Sequence, residues 1–151
     1  MAPKRCFFIG HRDATSAILP GLRQAVETHI SKYGVTEFIV GNHGMFDHLA
    51  ASAVIAAKKD HPNIMLSLLS PYHPAESTLK KPDGFDEIFY PDGMENVPHR
   101  YAIVKANRYA IRYVDYLIAF ICHTASNSQK VVEYAQSREK RGLITVTILK
   151  I

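Results

Sequence analysis

Short apolar runs and stretches of helical periodicity take turns along this chain. Cys6 to Ile9 is wholly apolar, which marks a strand covered on both faces. Asp13 to Leu19 reads as loop. Pro20 suits the first turn of a helix in which Leu22, Val26, Ile30 and Tyr33 recur at helical spacing until Gly34 ends it. Phe38 to Val40 predicts a second strand. A helix follows from about Gly44 to Asp60, with Leu49, Ala53 and Ala56 or Ala57 inward and Lys58-Lys59 near its C-terminus, where cations are favoured. Ile64 to Leu69 is the third strand. Residues 75–85 hold no sustained period, and Pro82, Asp83 and Gly84 mark turns, so an exposed loop is expected in place of a regular crossover helix. Ile88 to Tyr90 makes a short strand, and a helix from Pro98 to about Tyr113 carries Ile103, Ala106, Ala110 and Val114 on one face. Tyr116 to Cys122 is strand again, Val131, Val132 and Ala135 mark a helix closed by Gly142, and Leu143 to Leu149 is the last strand.

Strands alternating with helices predict an α/β domain built on a mostly parallel sheet, with right-handed crossovers and helices on both faces. In such a fold every strand-to-helix loop emerges at the carboxyl edge of the sheet, where ligands bind. That edge should hold Gly10-His11-Arg12, Gly41 to Asp47, Pro71-Tyr72-His73, the Pro91 to Arg100 segment and His123 to Ser128. These stretches contain five of the eight histidines and two arginines, whereas the opposite edge reads as ordinary polar turns. A site is therefore expected at the carboxyl edge.

With 151 residues, 47% of them hydrophobic and 21% charged, the whole chain, 1–151, fits one domain with a substantial core. A net charge of +4 favours anionic partners without separating a nucleotide from a nucleic acid or an acidic surface. Cys6 and Cys122 lie in apolar runs and form no Cys-x-x-Cys pair, so buried thiols in a reducing compartment are expected. Phe7 to Ile9 runs straight into Gly-His-Arg, unlike a signal peptide, and no apolar stretch approaches the ~20 residues that span a bilayer. The expected location is the cytoplasm, with no membrane association.

The chemistry concentrates at two junctions of the same kind. Phe8-Ile9-Gly10-His11-Arg12 and Val40-Gly41-Asn42-His43-Gly44-Met45-Phe46-Asp47 each run from strand through a glycine-bearing turn toward a helix. There the backbone can approach a ligand, and unpaired N–H groups favour an anion. Arg12 can fork onto a phosphate or carboxylate, or be a plain surface arginine. His11 can donate to the same anion, act as an acid or base, or hold a neighbouring loop. Arg100 and Arg108 can pair with acidic residues or with a ligand. Asp47 can accept N–H bonds in the first turn of its helix or meet a ribose hydroxyl. His43, Asp47 and His48 invite a metal reading, but the two histidines are five apart and do not share a helix face, and no metal is expected. No Walker loop, Gly-x-Ser-x-Gly elbow or Gly-x-Gly-x-x-Gly fingerprint occurs.

Together with Tyr90-Pro91-Asp92-Gly93-Met94-Glu95-Asn96-Val97-Pro98-His99-Arg100-Tyr101-Ala102-Ile103 and Asn107-Arg108-Tyr109, the two junctions resemble an uncharacterised bacterial group (DUF1273, YpsA-like) of the SLOG superfamily. That superfamily joins Rossmann-like proteins related to DprA and to the cytokinin-activating LOG proteins. The resemblance covers almost the whole chain. It implies a Rossmann-like three-layer α/β sandwich whose glycine-bearing loops bind a nucleotide or nucleotide-derived ligand, with no resident cofactor. The site residues it implies are Gly10, His11, Arg12, Gly41, Asn42, Gly44, Asp47, Arg100 and Asn107. One segment departs from the pattern. Where the group has His-Ser-x-Gly-Gly-Ala, this chain reads His123-Thr124-Ala125-Ser126-Asn127-Ser128, and side chains there would keep a phosphate farther from the backbone.

Three functions follow as expectations. The first is a nucleotide-binding, sensor-like protein. The second is a nucleotide N-glycoside hydrolase using Asp47 or Glu95, although the Pro-Gly-Gly-x-Gly-Thr motif and following glutamate of LOG-type hydrolases have no equivalent here. The third, ranked last, is a single-stranded DNA binder stacking bases on Tyr72, Tyr101 and Tyr109. A homo-oligomer is compatible with the sequence, which does not set the oligomeric state.

Overall fold

The computed structural model describes residues 2–73, 81–121 and 127–150. In chain order the elements are β1 (Lys4–Gly10), a 3-10 turn (Ser16–Ile18), α1 (Leu19–Ser31), β2 (Val35–Val40), α2 (Met45–Lys58), β3 (Met65–Leu69), β4 (Glu87–Phe89), α3 (His99–Tyr113), β5 (Tyr116–Phe120), α4 (Asn127–Glu139) and β6 (Thr145–Ile148). The six strands form one sheet in the order β4-β3-β2-β1-β5-β6, and every adjacent pair is parallel. The expected three-layer α/β architecture is present, with a sheet that is parallel throughout.

The unbroken apolar runs have the meaning expected of them. In β1, Cys6 and Phe8 face one layer with Phe38, Leu66, Leu22, Val26, Ala50 and Val54, packed under α1 and α2. Phe7 and Ile9 face the other, with Ile39, Leu117, Ala106, Ala110, Val131 and Val132, packed under α3 and α4. Alternate residues of one strand thus supply two cores, which is why no polar position interrupts it.

Several strands start earlier than the apolar pattern indicates. β1 begins at Lys4 and β2 at Val35, ahead of the unbroken apolar runs, because polar residues follow at the start of each strand and pair across it: the Arg5 guanidinium donates to Glu37 at 2.7 Å, while Val35 is itself buried in the core. The expected loop from Asp13 to Leu19 holds the 3-10 turn and the first residue of α1, with Pro20 in the first turn. Gly34 follows α1 with φ of +74°, a left-handed conformation that glycine adopts without a side-chain clash. Of the loop expected over 75–85, residues 75–80 lie outside the described residues, as do the strand end at Cys122 and residues 123–126. The part from Pro82 turns tightly and leads into β4, which Asp86 ties to the sheet. Its N–H donates to the Leu66 carbonyl at 2.8 Å, its carboxylate accepts the Leu66 N–H at 2.8 Å, and Lys58 donates to it at 2.6 Å. Among the described residues no helix is long and apolar enough to cross a membrane. Cys6 is a free, buried thiol whose pKa burial pushes well up.

From β1 the chain builds outward to β4, then returns across the sheet to lay β5 on the other side of β1. The direction of winding therefore reverses between β1 and β5. In open α/β sheets, the carboxyl end of such a reversal is where the flanking loops part and leave a crevice.

At the opposite end, His29 of α1 is buried between the edges it presents to Tyr33 and Tyr116, 5.0 and 5.5 Å between ring centres. Its Nδ1 lies 2.7 Å from the Ala25 carbonyl, and its Nε2 has no partner among the described residues. Burial holds the imidazole below its ordinary value of 6.5. The unfolded chain then binds a proton that the folded protein refuses, so stability falls as pH drops below 6.5. Urea unfolding at pH 5 and pH 7 should show His29→Leu losing less stability than wild type over that interval.

Candidate functional site

A cleft of about 410 Å³ opens at the carboxyl edge, at the winding reversal. It is lined by β1 and the turn after it (Gly10, His11, Arg12), by the β2–α2 turn (Gly41, His43, Gly44, Asp47), by α3 (Arg100, Ile103, Val104, Asn107) and by the start of α4 (Ser128, Val131). Of the nine residues implied as ligand-binding, eight line this one cleft. Asn42 does not, and it is exposed on the outside of its turn. Glu95 is also exposed and away from the cleft, which leaves Asp47 as the carboxylate in it.

The glycines act differently from what their positions suggest. A Cβ on Gly10 would lie 2.3 Å from the Phe46 ring, and a Cβ on Gly44 would lie 2.5 Å from the Arg12 Cα. Both positions are therefore closed to any side chain by the protein itself. The two junctions are packed onto one another, and the Met45 N–H donates to the Arg12 carbonyl at 2.9 Å. Gly41 faces the Asp47 carboxylate, whose oxygen would be 3.0 Å from its Cβ. The glycine pair thus builds a rigid seat from which the exposed Arg12 side chain projects.

Asp47, in the first turn of α2, reaches back to accept the His43 N–H at 3.0 Å, tying the turn to the helix it leads into. Burial pushes its carboxyl from 3.8 to about 6, against the pull of that bond and of the Arg12 charge. Burial, then the Arg12 charge, holds the His43 imidazole below its ordinary value. His11 is buried with its ring edge-on to Phe120, 6.2 Å between centres. Ser128 donates to the Gly10 carbonyl at 3.3 Å and joins α4 to the end of β1.

Arg100 and Arg108 part company. Arg100 lines the cleft, with its guanidinium also over the Tyr101 ring at 4.8 Å, whereas Arg108 lies over Tyr134 of α4 at 5.2 Å. Of the three tyrosines considered for stacking, Tyr72 lies on His99 with ring centres 4.4 Å apart, Tyr109 packs on Phe89, and Tyr101 is exposed. Among the described residues no group of three or more His, Cys, Asp and Glu is placed to hold a metal. Five further lining residues, His43, Ile103, Val104, Ser128 and Val131, were not among those implied as ligand-binding. His43 and Ser128 fall in stretches expected at the carboxyl edge, and Ile103 and Val104 on the helix face shared by Arg100 and Asn107, so position carried a signal for those four. Val131 had none.

The fold and cleft define a doubly wound α/β domain with a polar, cationic-rimmed crevice at its switch point. No model of a known protein family matches the chain, and no curated protein matches it.

Gly10→Ala should destabilise the protein by about 1–3 kcal/mol through overpacking. In a Phe46→Ala background the same change should cost nearly nothing, a coupling that denaturant titration of the four proteins reads directly. Asp47 holds a proton in the folded state between pH 3.8 and about 6, where the unfolded chain has released it, so its contribution to stability falls as pH rises through that window. Asp47→Asn should therefore raise the melting temperature at pH 7.5, the difference from wild type corresponding to roughly 1–3 kcal/mol and shrinking below pH 4.

Proposed function

We propose that the protein binds a nucleotide or a nucleotide derivative in this cleft, as a cytoplasmic, sensor-like member of the SLOG superfamily. The observation that carries the reading is the meeting of Arg12 from the β1 turn and Arg100 from α3 on one cleft at the winding reversal, beside Asp47 and Asn107. Guanidinium groups on two separate elements suit an anionic group, while a carboxylate and a neutral amide suit hydroxyls and a base. The motif resemblance supports the same ligand class. Because Gly10 and Gly44 are filled by Phe46 and Arg12, the anion is held mainly by side chains and by the start of α4, not by those two glycine turns.

One observation favours a second reading, hydrolysis of a nucleotide's N-glycosidic bond. Asp47 stands in the cleft with its pKa raised to about 6, within reach of acid–base work near neutral pH. That reading predicts release of a free base, which binding alone does not. DNA binding has weaker support, since two of its three stacking tyrosines are engaged within the protein.

Thermal unfolding against nucleoside monophosphates, other nucleotides, ADP-ribose and NAD tests the proposal. A ligand at 100 times its Kd stabilises by about 2.7 kcal/mol, a rise of about 5–10 °C for a chain of this size. The rise should vanish at the same ligand concentration in Arg12→Ala. Absence of any shift across the panel would overturn the small-nucleotide reading.

A further inference from the structure

Asn107 is a polar side chain in a place that an apolar one would ordinarily take. It lies among the buried residues of α3, 8% exposed. Its side-chain amide makes no hydrogen bond among the described residues, while it lines the cleft. It is not one of the fully enclosed unpartnered groups, which are His29 Nε2 and Arg138 Nε, so the amide opens onto the cleft. Buried polar groups are almost always paired, and one left waiting in a cleft is a group that a ligand can satisfy.

Its depth follows from the direction of its helix. α3 starts at the carboxyl edge and runs away from it, so Asn107 lies seven residues below Arg100, about 10 Å along the helix axis. On the facing strand, Phe7 lies three residues below Gly10, again about 10 Å. Charge is confined to the mouth, where Arg12, Arg100 and Asp47 stand. Below it the walls are apolar, from Ile9, Ile103 and Val131, and Asn107 is the polar group at the bottom. The gradient fits a ligand with an anionic head, an uncharged flat body and a polar far edge.

We infer that Asn107 determines the specificity of the cleft by reading a nucleobase edge that sets a hydrogen-bond donor beside an acceptor, with the ring between the Ile103 and Val131 walls and the anion at Arg12 and Arg100. The inference rests on the nucleotide reading of the cleft. A side-chain amide offers one acceptor and two donors, so it pairs with such an edge through two parallel bonds. An edge of two acceptors leaves its carbonyl unpaired and binds less well. A sugar phosphate without a base leaves the amide as it is in the free protein.

The test is calorimetric titration of AMP, GMP, CMP, UMP and ribose 5-phosphate into wild type, Asn107→Asp and Asn107→Leu. At least one base-bearing monophosphate should bind wild type about ten- to a hundredfold more tightly than ribose 5-phosphate. Both variants should lose that advantage and keep the affinity for ribose 5-phosphate. The ligand-free Asn107→Leu protein should melt no lower than wild type, since no internal bond is lost, and the near-isosteric Asn107→Asp keeps the test open if leucine perturbs the fold. Equal affinity of wild type for nucleotides and ribose 5-phosphate, equal weakening of both in the variants, or a lowered melting point in ligand-free Asn107→Leu would each overturn the role of Asn107 while leaving the anion site standing. Failure of every compound to bind wild type would overturn the nucleotide reading and this inference together.

Discussion

The contact on which the cleft depends is the packing of the two strand-to-helix junctions against each other. The Phe46 ring occupies the space a side chain at position 10 would need, and the Arg12 main chain occupies the space a side chain at position 44 would need. The Met45 N–H bond to the Arg12 carbonyl closes the joint. Phe46 is itself part of the core beneath α1 and α2, so the base of the cleft is anchored in the hydrophobic interior and not in loop structure alone. A cleft built this way presents its cationic side chain from a fixed main chain, which lowers the ordering cost of binding.

Charge at the site is arranged around that joint. Asp47 is the internal anion at the start of α2, bonded to the His43 N–H, and burial raises its pKa while the Arg12 charge and that bond resist the rise. Burial and the same guanidinium lower the pKa of His43. Arg12 is thereby the shared neighbour of both titrating groups, and an anion drawn to it would change the field that each of them feels. Arg100 comes from the other side of the winding reversal, so α3 and the β1 turn must be correctly placed together before two cations share one crevice. Arg108 shows how narrow that condition is. Eight residues further along the same helix, it meets Tyr134 of α4 instead.

Much of this was legible in residue order. Unbroken apolar runs such as Cys6 to Ile9 require cover on both faces, and alternation with helical periods leaves a parallel α/β sheet as the economical arrangement. Parallel order sends every strand-to-helix loop to one edge, so the co-location of Arg12, Gly41, Asp47 and Arg100 near that edge was readable in advance. The early strand starts at Lys4 and Val35 were not, because what holds the polar residues beside them, such as Glu37 for Arg5, comes from elsewhere in the chain. Nor was the exclusion of Asn42 and Glu95, since which way a turn residue points depends on what packs beneath the turn.

Sequence by itself determined the class of fold and the edge that carries the site, because both follow from local periodicity and from the single direction in which parallel strands must be connected. Tertiary structure alone decided what the glycines do, which arginine of α3 reaches the cleft, and that the amide of Asn107 lines it with no hydrogen bond among the described residues. Each of those depends on the distance between atoms remote in the chain, and hydrophobic pattern carries no information about such distances.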